Sequence, residues 1–116
     1  MKKVLIASVA VLVLVGFTRP ASAQGAEKGA KVYAEKSCQM CHSIAGKGNI
    51  KGPLDGVGSK LTPDEIREWL TDPAAAAAKA KADRKPPMST IAAKLKTLSK
   101  GEVDDLVAYI SSLKKK

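Results

Sequence analysis

The stretch Cys38-Gln39-Met40-Cys41-His42 is the part of this sequence that decides the fold. It contains both cysteines of the chain and its only histidine. Residues three apart on one helical turn lie on the same face, so the two thiols point the same way and the imidazole follows beside them. This spacing is the attachment signature of c-type haem, in which both thiols bond to one porphyrin and the histidine binds the iron.

Three other interpretations of the motif fit less of the sequence. A redox C-x-x-C of the thioredoxin type belongs to a βαβ setting, which this chain does not predict. A zinc site needs a fourth ligand, and two cysteines with one histidine fall short of it. A plain disulfide leaves His42 without a role and does not fill the core. Haem uses both thiols and the imidazole, and it also supplies a large apolar group.

The length and composition indicate that a bound group fills the centre of the molecule. The chain has 116 residues, which is enough for one domain at most. Only 3% of the residues are aromatic, and much of the apolar content is alanine. Small chains bury little surface and often depend on a metal, a disulfide or another staple. The protein alone therefore lacks core material.

The N-terminal segment has the pattern of a signal peptide. Two lysines precede the apolar run Val4–Val15, and Ala21–Ala23 forms an A-x-A cleavage site. Twelve residues make about 18 Å of helix, which is too short for the roughly 30 Å hydrocarbon core of a bilayer. We predict that residues 1–23 are removed and that 24–116 form an exported, periplasmic domain with no stable membrane insertion. An uncleaved membrane anchor is the alternative.

The charge and the single histidine exclude several classes of function. The chain carries 20 Lys and Arg against 11 Asp and Glu, a formal net charge of +9. Such a chain could bind nucleic acid, but its bases are interspersed with acids and the export signal takes it away from the genome. We expect no nucleic-acid partner. A hydrolase triad or a multi-histidine metal site cannot be assembled around one histidine without unusual partners.

The periodicity of the chain predicts an all-α fold of roughly four helices. The last helix is the clearest, because Ser99 and Glu102 form a capping box before an apolar face. Thr62 and Glu65 form a second capping box, and Asp72-Pro73 ends that helix and starts the next. No segment alternates like a strand. The predicted helices are Gly25–His42, the segment from Thr62 to Asp72, Ala74–Ala82 and the segment after Ser99.

Two other segments are predicted to be irregular. Ser43–Lys60 carries five of the nine glycines and is expected to be loop. Pro86-Pro87 forces an extended chain around Met88. Met88 is also the candidate second ligand, because Met1 leaves with the signal and Met40 lies inside the attachment turn. A His/Met pair is one of the known axial arrangements of haem iron, and the alternative is that Met88 fills a gap in the core.

On these features the chain resembles the class I monohaem c-type cytochromes, which are small exported electron carriers. The resemblance covers essentially the whole of 24–116. It rests on the attachment motif, Gly52-Pro53, Trp69–Pro73, Met88 and the terminal helix. It implies the cytochrome c fold, with helices packed around one haem c that is bound covalently through Cys38 and Cys41. It also implies that His42 and Met88 are the axial ligands.

The resemblance implies roles for two further cofactor-binding residues. Pro53 matches the residue whose carbonyl orients the proximal histidine, and such an acceptor fixes the ring. The family often has one more residue between this proline and the next glycine, Gly56 here, which leaves the role of Pro53 open. Trp69 matches an aromatic that lies against the haem, and ordinary helix core is the alternative.

The family also implies a close crossing of the first and last helices. Gly29 and Tyr33 match the small residue and the aromatic of the first helix, and Leu106 and Tyr109 match the side of the last. Glycine in a helix interior costs about 1 kcal/mol, so Gly29 indicates a close approach of the two backbones.

The two filled axial positions leave no open site for a substrate, which indicates a one-electron carrier and not an enzyme. We expect a monomer whose partners are redox proteins. One alternative is a dedicated electron-transfer subunit of a periplasmic dehydrogenase or oxidase complex. The other is a haem sensor or peroxidase-like enzyme in which Met88 dissociates. Basic residues on both sides of Met88, together with the family's use of lysines in docking, favour acidic partner surfaces; these residues are Lys79, Lys81, Arg84, Lys85, Lys94 and Lys96.

Overall fold

The computed structural model describes Gly16 and residues 21–115 of the chain. The apolar run of the predicted signal peptide lies outside the described residues, so its removal stays a prediction. Among the helices of the described part, none is both long and apolar enough to cross a bilayer.

The described residues are mostly helical, which confirms the all-α prediction. Four of the helices have eight residues or more, and two have a single turn. The α-helices are α1 (Ala21–Glu35), α2 (Val57–Lys60), α3 (Pro63–Thr71), α4 (Pro73–Ala80), α5 (Ala92–Leu95) and α6 (Lys100–Ser111). Two 3₁₀ turns (Cys38–Met40 and Met88–Ile91) and two short strands, β1 (Ser43–Ile44) and β2 (Lys47–Gly48), complete the fold.

Helix α1 ends at Glu35, so the prediction that it continues to His42 is wrong. Ser37 has a φ of 57°, in the left-handed region, which an α-helix cannot accommodate. The chain then forms the separate 3₁₀ turn Cys38–Met40. The backbone N–H groups of Cys41 and His42 donate to the Cys38 carbonyl at 3.1 and 3.0 Å. The two cysteines are therefore still one turn apart, as their spacing predicts.

The stretch predicted as loop, Ser43–Lys60, is partly regular. Strands β1 and β2 pair antiparallel, with Ser43 opposite Gly48. Ala45 and Gly46 have φ of 52° and 78°, and two central residues with positive φ form the tight turn that suits a two-residue hairpin. Strands of two residues are too short to show alternation, which is why the sequence does not reveal them. Helix α2 lies in the same stretch.

The predicted starts of three helices are confirmed by their capping contacts. The Thr62 hydroxyl accepts from the Glu65 N–H at 3.2 Å, and the Glu65 carboxylate accepts from the Thr62 N–H at 2.9 Å. Ser99 and Glu102 make the same reciprocal pair at 3.1 and 3.0 Å. The Asp72 carboxylate caps α4. Each pair satisfies N–H groups that the first helical turn leaves free.

The core forms where α1 crosses α6, which is the most extensive contact between two elements. The Cα of Gly29 faces the Asp105 carbonyl and the Cβ of Tyr109, so closely that any side chain would overlap them. The rings of Tyr33 and Tyr109 meet edge to face, with centroids 5.9 Å apart. Burial raises the pKa of Tyr33 to about 12. The buried cluster comprises Val32, Tyr33, Ile66, Leu70, Val103, Leu106, Val107 and Ile110.

Candidate haem-binding site

A cleft with a volume of about 370 Å³ lies beside this core. Its walls come from the attachment turn, from α3 and α6, and from the segment that leads to Met88, and most of the lining side chains are apolar. A second cavity of about 180 Å³ is lined by several of the same residues. Five of the six sequence-predicted site residues line the larger cavity, namely Cys38, Cys41, His42, Trp69 and Met88.

Cys38 and Cys41 are both free thiols and both half-buried. Burial raises the pKa of the Cys38 thiol, and the ammonium of Lys94 opposes that rise. Both cysteines and His42 line both cavities. Two free thiols and an imidazole are thus presented to one apolar space.

The His42 ring is held by a backbone carbonyl. Its Nδ1 lies 3.1 Å from the Gly52 oxygen, and with the proton on Nδ1 the ring donates there and keeps the Nε2 lone pair. Burial lowers the pKa of His42, the contact with Gly52 opposes that, and the nearby Arg84 lowers it further. The ring is therefore favoured in its neutral form, which is the form that binds a metal.

The carbonyl that holds His42 is that of Gly52 and not that of Pro53, the residue for which the resemblance implies this role. Ser43 forms a parallel bridge to Pro53, in which the Ser43 N–H donates to the Gly52 carbonyl at 3.0 Å. The Leu54 N–H donates to the Ser43 carbonyl at 2.9 Å. Successive carbonyls of an extended chain point to opposite sides, so only the Gly52 carbonyl faces His42. Pro53 itself is exposed and lines neither cavity.

Met88 reaches the cleft from a turn. Pro87 is extended, with φ −71° and ψ 152°, as predicted, but the extended chain stops there and Met88 begins the 3₁₀ turn Met88–Ile91. The N–H and hydroxyl of Thr90 both donate to the Pro87 carbonyl, at 3.0 and 2.8 Å, and close that turn. The Met88 side chain is half-buried, lines both cavities and packs against the core.

Trp69 lies on α3 and lines the larger cavity. Its helix neighbours Ile66 and Leu70 belong to the buried cluster, whereas Trp69 is half-buried and is not a member of it. The aromatic ring therefore borders the cleft. Contact between the Trp69 ring and a bound group stays a prediction.

Arg84 is a lining residue that the sequence does not single out. The sequence places it among the basic residues around Met88, but its Nη2 donates to the Cys41 carbonyl at 2.5 Å and the residue lines the larger cavity. Lys79 also differs from that grouping, because it pairs with Glu68 at 2.6 Å. The signal that could have found Arg84 is its chemistry: a planar guanidinium among lysines suits a directed contact in a partly buried place.

The donor set and the cleft fit a c-type haem. Two thiols one turn apart would form the covalent links, and a neutral imidazole would bind the iron. A thioether lines the same apolar cleft, and the cleft would enclose the porphyrin. An all-α fold with this site is that of a c-type haem protein.

The comparison with family models supports the same class. The model of the family cytochrome c matches residues 26–114. Comparisons with curated proteins and with solved structures gave no significant match. The chain belongs to the cytochrome c family. It is therefore a haem c protein of electron transfer, with the haem bound through Cys38 and Cys41 and with redox proteins as partners.

Proposed function

We propose that this protein is a soluble, monomeric periplasmic one-electron carrier whose haem iron is bound by His42 and Met88. The observation that carries the proposal is the shared cleft: Met88 lines the same apolar cavity as both cysteines and His42. Met40, by contrast, is 74% exposed and lies between the two cysteines. The predicted signal peptide supports the periplasmic location.

The chain's own residues prepare the site for that task. Gly52 orients the His42 ring, and Pro87 with Thr90 shapes the turn that presents Met88. Around a bound haem the apolar lining would exclude water, and the loss of solvation would disfavour the more highly charged oxidised site. When bound, haem supplies the one-electron couple between ferrous and ferric iron. If His42 and Met88 both bind the iron, no position on it would remain for a substrate, as expected of a carrier and not of an enzyme.

The test of this proposal is Met88→Ala in the holoprotein. We expect the variant to lose the weak long-wavelength sulfur-to-iron charge-transfer band and to have a lower reduction potential, because the thioether that favours ferrous iron is gone. Met40→Ala is the matched control and should leave the band and the potential unchanged, since its side chain points into solvent. Optical spectra and redox titration give both readings.

One result would contradict the ligation by Met88, and another would contradict the carrier function. If the charge-transfer band survives in Met88→Ala, another group binds the iron. If the reduced wild-type protein binds carbon monoxide at neutral pH, its distal ligand dissociates and a sensor or peroxidase-like function is favoured.

We further propose that the carrier docks to acidic surfaces of its redox partners. Lys81 and Lys85 precede Met88 and are exposed, and neither forms an ion pair with a described residue. Lys94 and Lys96 follow it and are also exposed and unpaired within the same residues. Lys94 also lines the smaller cavity. We call these four lysines, which flank Met88 in the sequence, the docking lysines.

Complementary charge acts mainly on the rate of association and is screened over about 10 Å at 0.1 M salt. Lys85→Glu should therefore slow electron transfer to an acidic acceptor at low salt. Lys115→Glu is the control, since it makes the same charge change on an exposed lysine at the C-terminus. Stopped-flow rates should differ between the variants at low salt and converge as salt rises. Equal rates at low ionic strength would place the docking surface elsewhere.

A further inference from the structure

The side chain of Arg84 connects two parts of the cleft that are far apart in sequence. Arg84 lies four residues before Met88, and its Nη2 donates to the carbonyl of Cys41, beside His42, at 2.5 Å. The contact joins residues 43 positions apart. The residue is half-buried, where hydrogen bonds of charged groups are stronger than on the surface.

The same guanidinium also lies against the residue that holds the His42 ring. Gly52 is buried, and a side chain at this position would overlap Nη1 of Arg84 and the carbonyl of Cys41. Gly52 in turn accepts the contact from His42 Nδ1. Arg84 therefore touches both neighbours of His42, the residue before it in the chain and the residue that orients it in space.

The segment that contains Arg84 has few other ties. In the part of the chain that the structure describes, no backbone hydrogen bond joins residues 83–87 to another segment. Pro86 and Pro87 have no N–H to offer, and their rings fix φ. Only Lys85 and these two prolines separate Arg84 from Met88, so the spacer is short and stiff. An anchor at Arg84 consequently limits where Met88 can lie.

We propose that Arg84 is a positioning residue that ties the segment carrying Met88 to the attachment turn carrying His42, and so keeps Met88 on the iron. This inference rests on the proposed His42/Met88 ligation. A fixed positive charge in a partly buried site also disfavours the oxidised, more positive haem. Arg84 thus has two separable effects, one on retention of the ligand and one on the reduction potential.

The test is a titration of the oxidised holoprotein with free imidazole, which competes with Met88 for the iron. The loss of the sulfur-to-iron charge-transfer band measures how much Met88 has been displaced. Arg84→Gln removes the charge and shortens the reach, whereas Arg84→Lys keeps the charge and one donor. Loss of one charge-assisted hydrogen bond should raise the apparent affinity for imidazole in Arg84→Gln by at least about tenfold. Arg84→Lys should show a smaller rise, because a lysine cannot reproduce the planar contact.

The reduction potential separates the second effect from the first. It should fall in Arg84→Gln and stay close to the wild-type value in Arg84→Lys, which retains the charge. Arg67→Gln is the matched control for both readings. It makes the same substitution at an arginine that pairs with Asp104 on the surface and lines neither cavity, so both values should be unchanged.

The outcomes distinguish this inference from the proposed ligation. A wild-type protein without the charge-transfer band overturns the ligation by Met88. If the wild-type protein has the band and Arg84→Gln binds imidazole with wild-type affinity, only the role of Arg84 is overturned. An equal rise in Arg67→Gln overturns it as well. If Arg84→Gln yields no holoprotein, Arg84→Lys decides, and wild-type affinity in that variant rejects the role.

Discussion

At the scale of single residues, Gly52 serves the site with its main chain alone. Its carbonyl accepts from two donors, the Ser43 N–H at 3.0 Å and the His42 ring at 3.1 Å. Its Cα lies against Arg84 and the Cys41 carbonyl, where no Cβ fits. Its φ lies outside the left-handed region, so the need for glycine is one of space and not of backbone strain.

Gly52→Ala should therefore destabilise the holoprotein. The added methyl group must displace Arg84 or the Cys41 carbonyl, and overpacking of this kind costs about 1–3 kcal/mol. Gly101→Ala is the control, because a Cβ at this exposed helical position meets only the Ser99 hydroxyl at 3.9 Å. That change meets no close neighbour and should not destabilise the protein. Denaturant unfolding, monitored by circular dichroism, gives the free energy of unfolding of both variants. A wild-type value for Gly52→Ala would mean that Arg84 and the Cys41 carbonyl move aside at no energetic cost.

Apart from Arg84, the residues of the site that act through side-chain chemistry can be found from the sequence. Cys38, Cys41 and His42 are identified by their residue types and spacing. Met88 is identified as the candidate second ligand by elimination among the methionines. Gly52 acts through a carbonyl, which every residue has, so the residue type gives no signal. The resemblance implies this role for Pro53, one position away, and leaves it open. Which carbonyl faces the ring depends on the pairing of Ser43 with this stretch, and that pairing is a tertiary contact.

At the scale of elements, features set by local chemistry were predicted correctly, whereas features set by tertiary contacts were not. The starts of α3 and α6 were predicted because a capping box lies within four residues and satisfies its own N–H groups. The end of α1 was not predicted. Ser37 is not a helix-breaking residue type, and it adopts the left-handed conformation only in its tertiary context. The hairpin of β1 and β2 escaped detection because two-residue strands have no periodicity.

The crossing of α1 and α6 was predicted from the family resemblance, because periodicity alone does not say which helices pack against each other. Both helices have apolar faces, but an apolar face does not say which partner it meets. Gly29 was expected to allow close approach, and its Cα does face Asp105 and Tyr109 with no room for a side chain. The pairing of Tyr33 with Tyr109 lies beside the same contact.

At the scale of the whole molecule, the protein core is incomplete without the haem. The buried apolar cluster is built from α1, α3 and α6, and the cleft of about 370 Å³ borders it through Ile66, Leu70, Leu106 and Ile110. Apolar side chains that line an open cleft gain little from burial until something fills it. The group that carries the electron is therefore also part of what stabilises the fold.

The double variant Cys38→Ala, Cys41→Ala should for this reason be largely unfolded and not merely colourless. Without the covalent haem, the apolar lining of the cleft is left against water, while folding must still offset about 1.5 kcal/mol of conformational entropy per residue. Circular dichroism should show little helix and no cooperative thermal transition. Met88→Ala is the control, because it keeps the haem attached and should retain helix content. Native helix content with a cooperative transition in the double variant would show that the protein core is sufficient by itself.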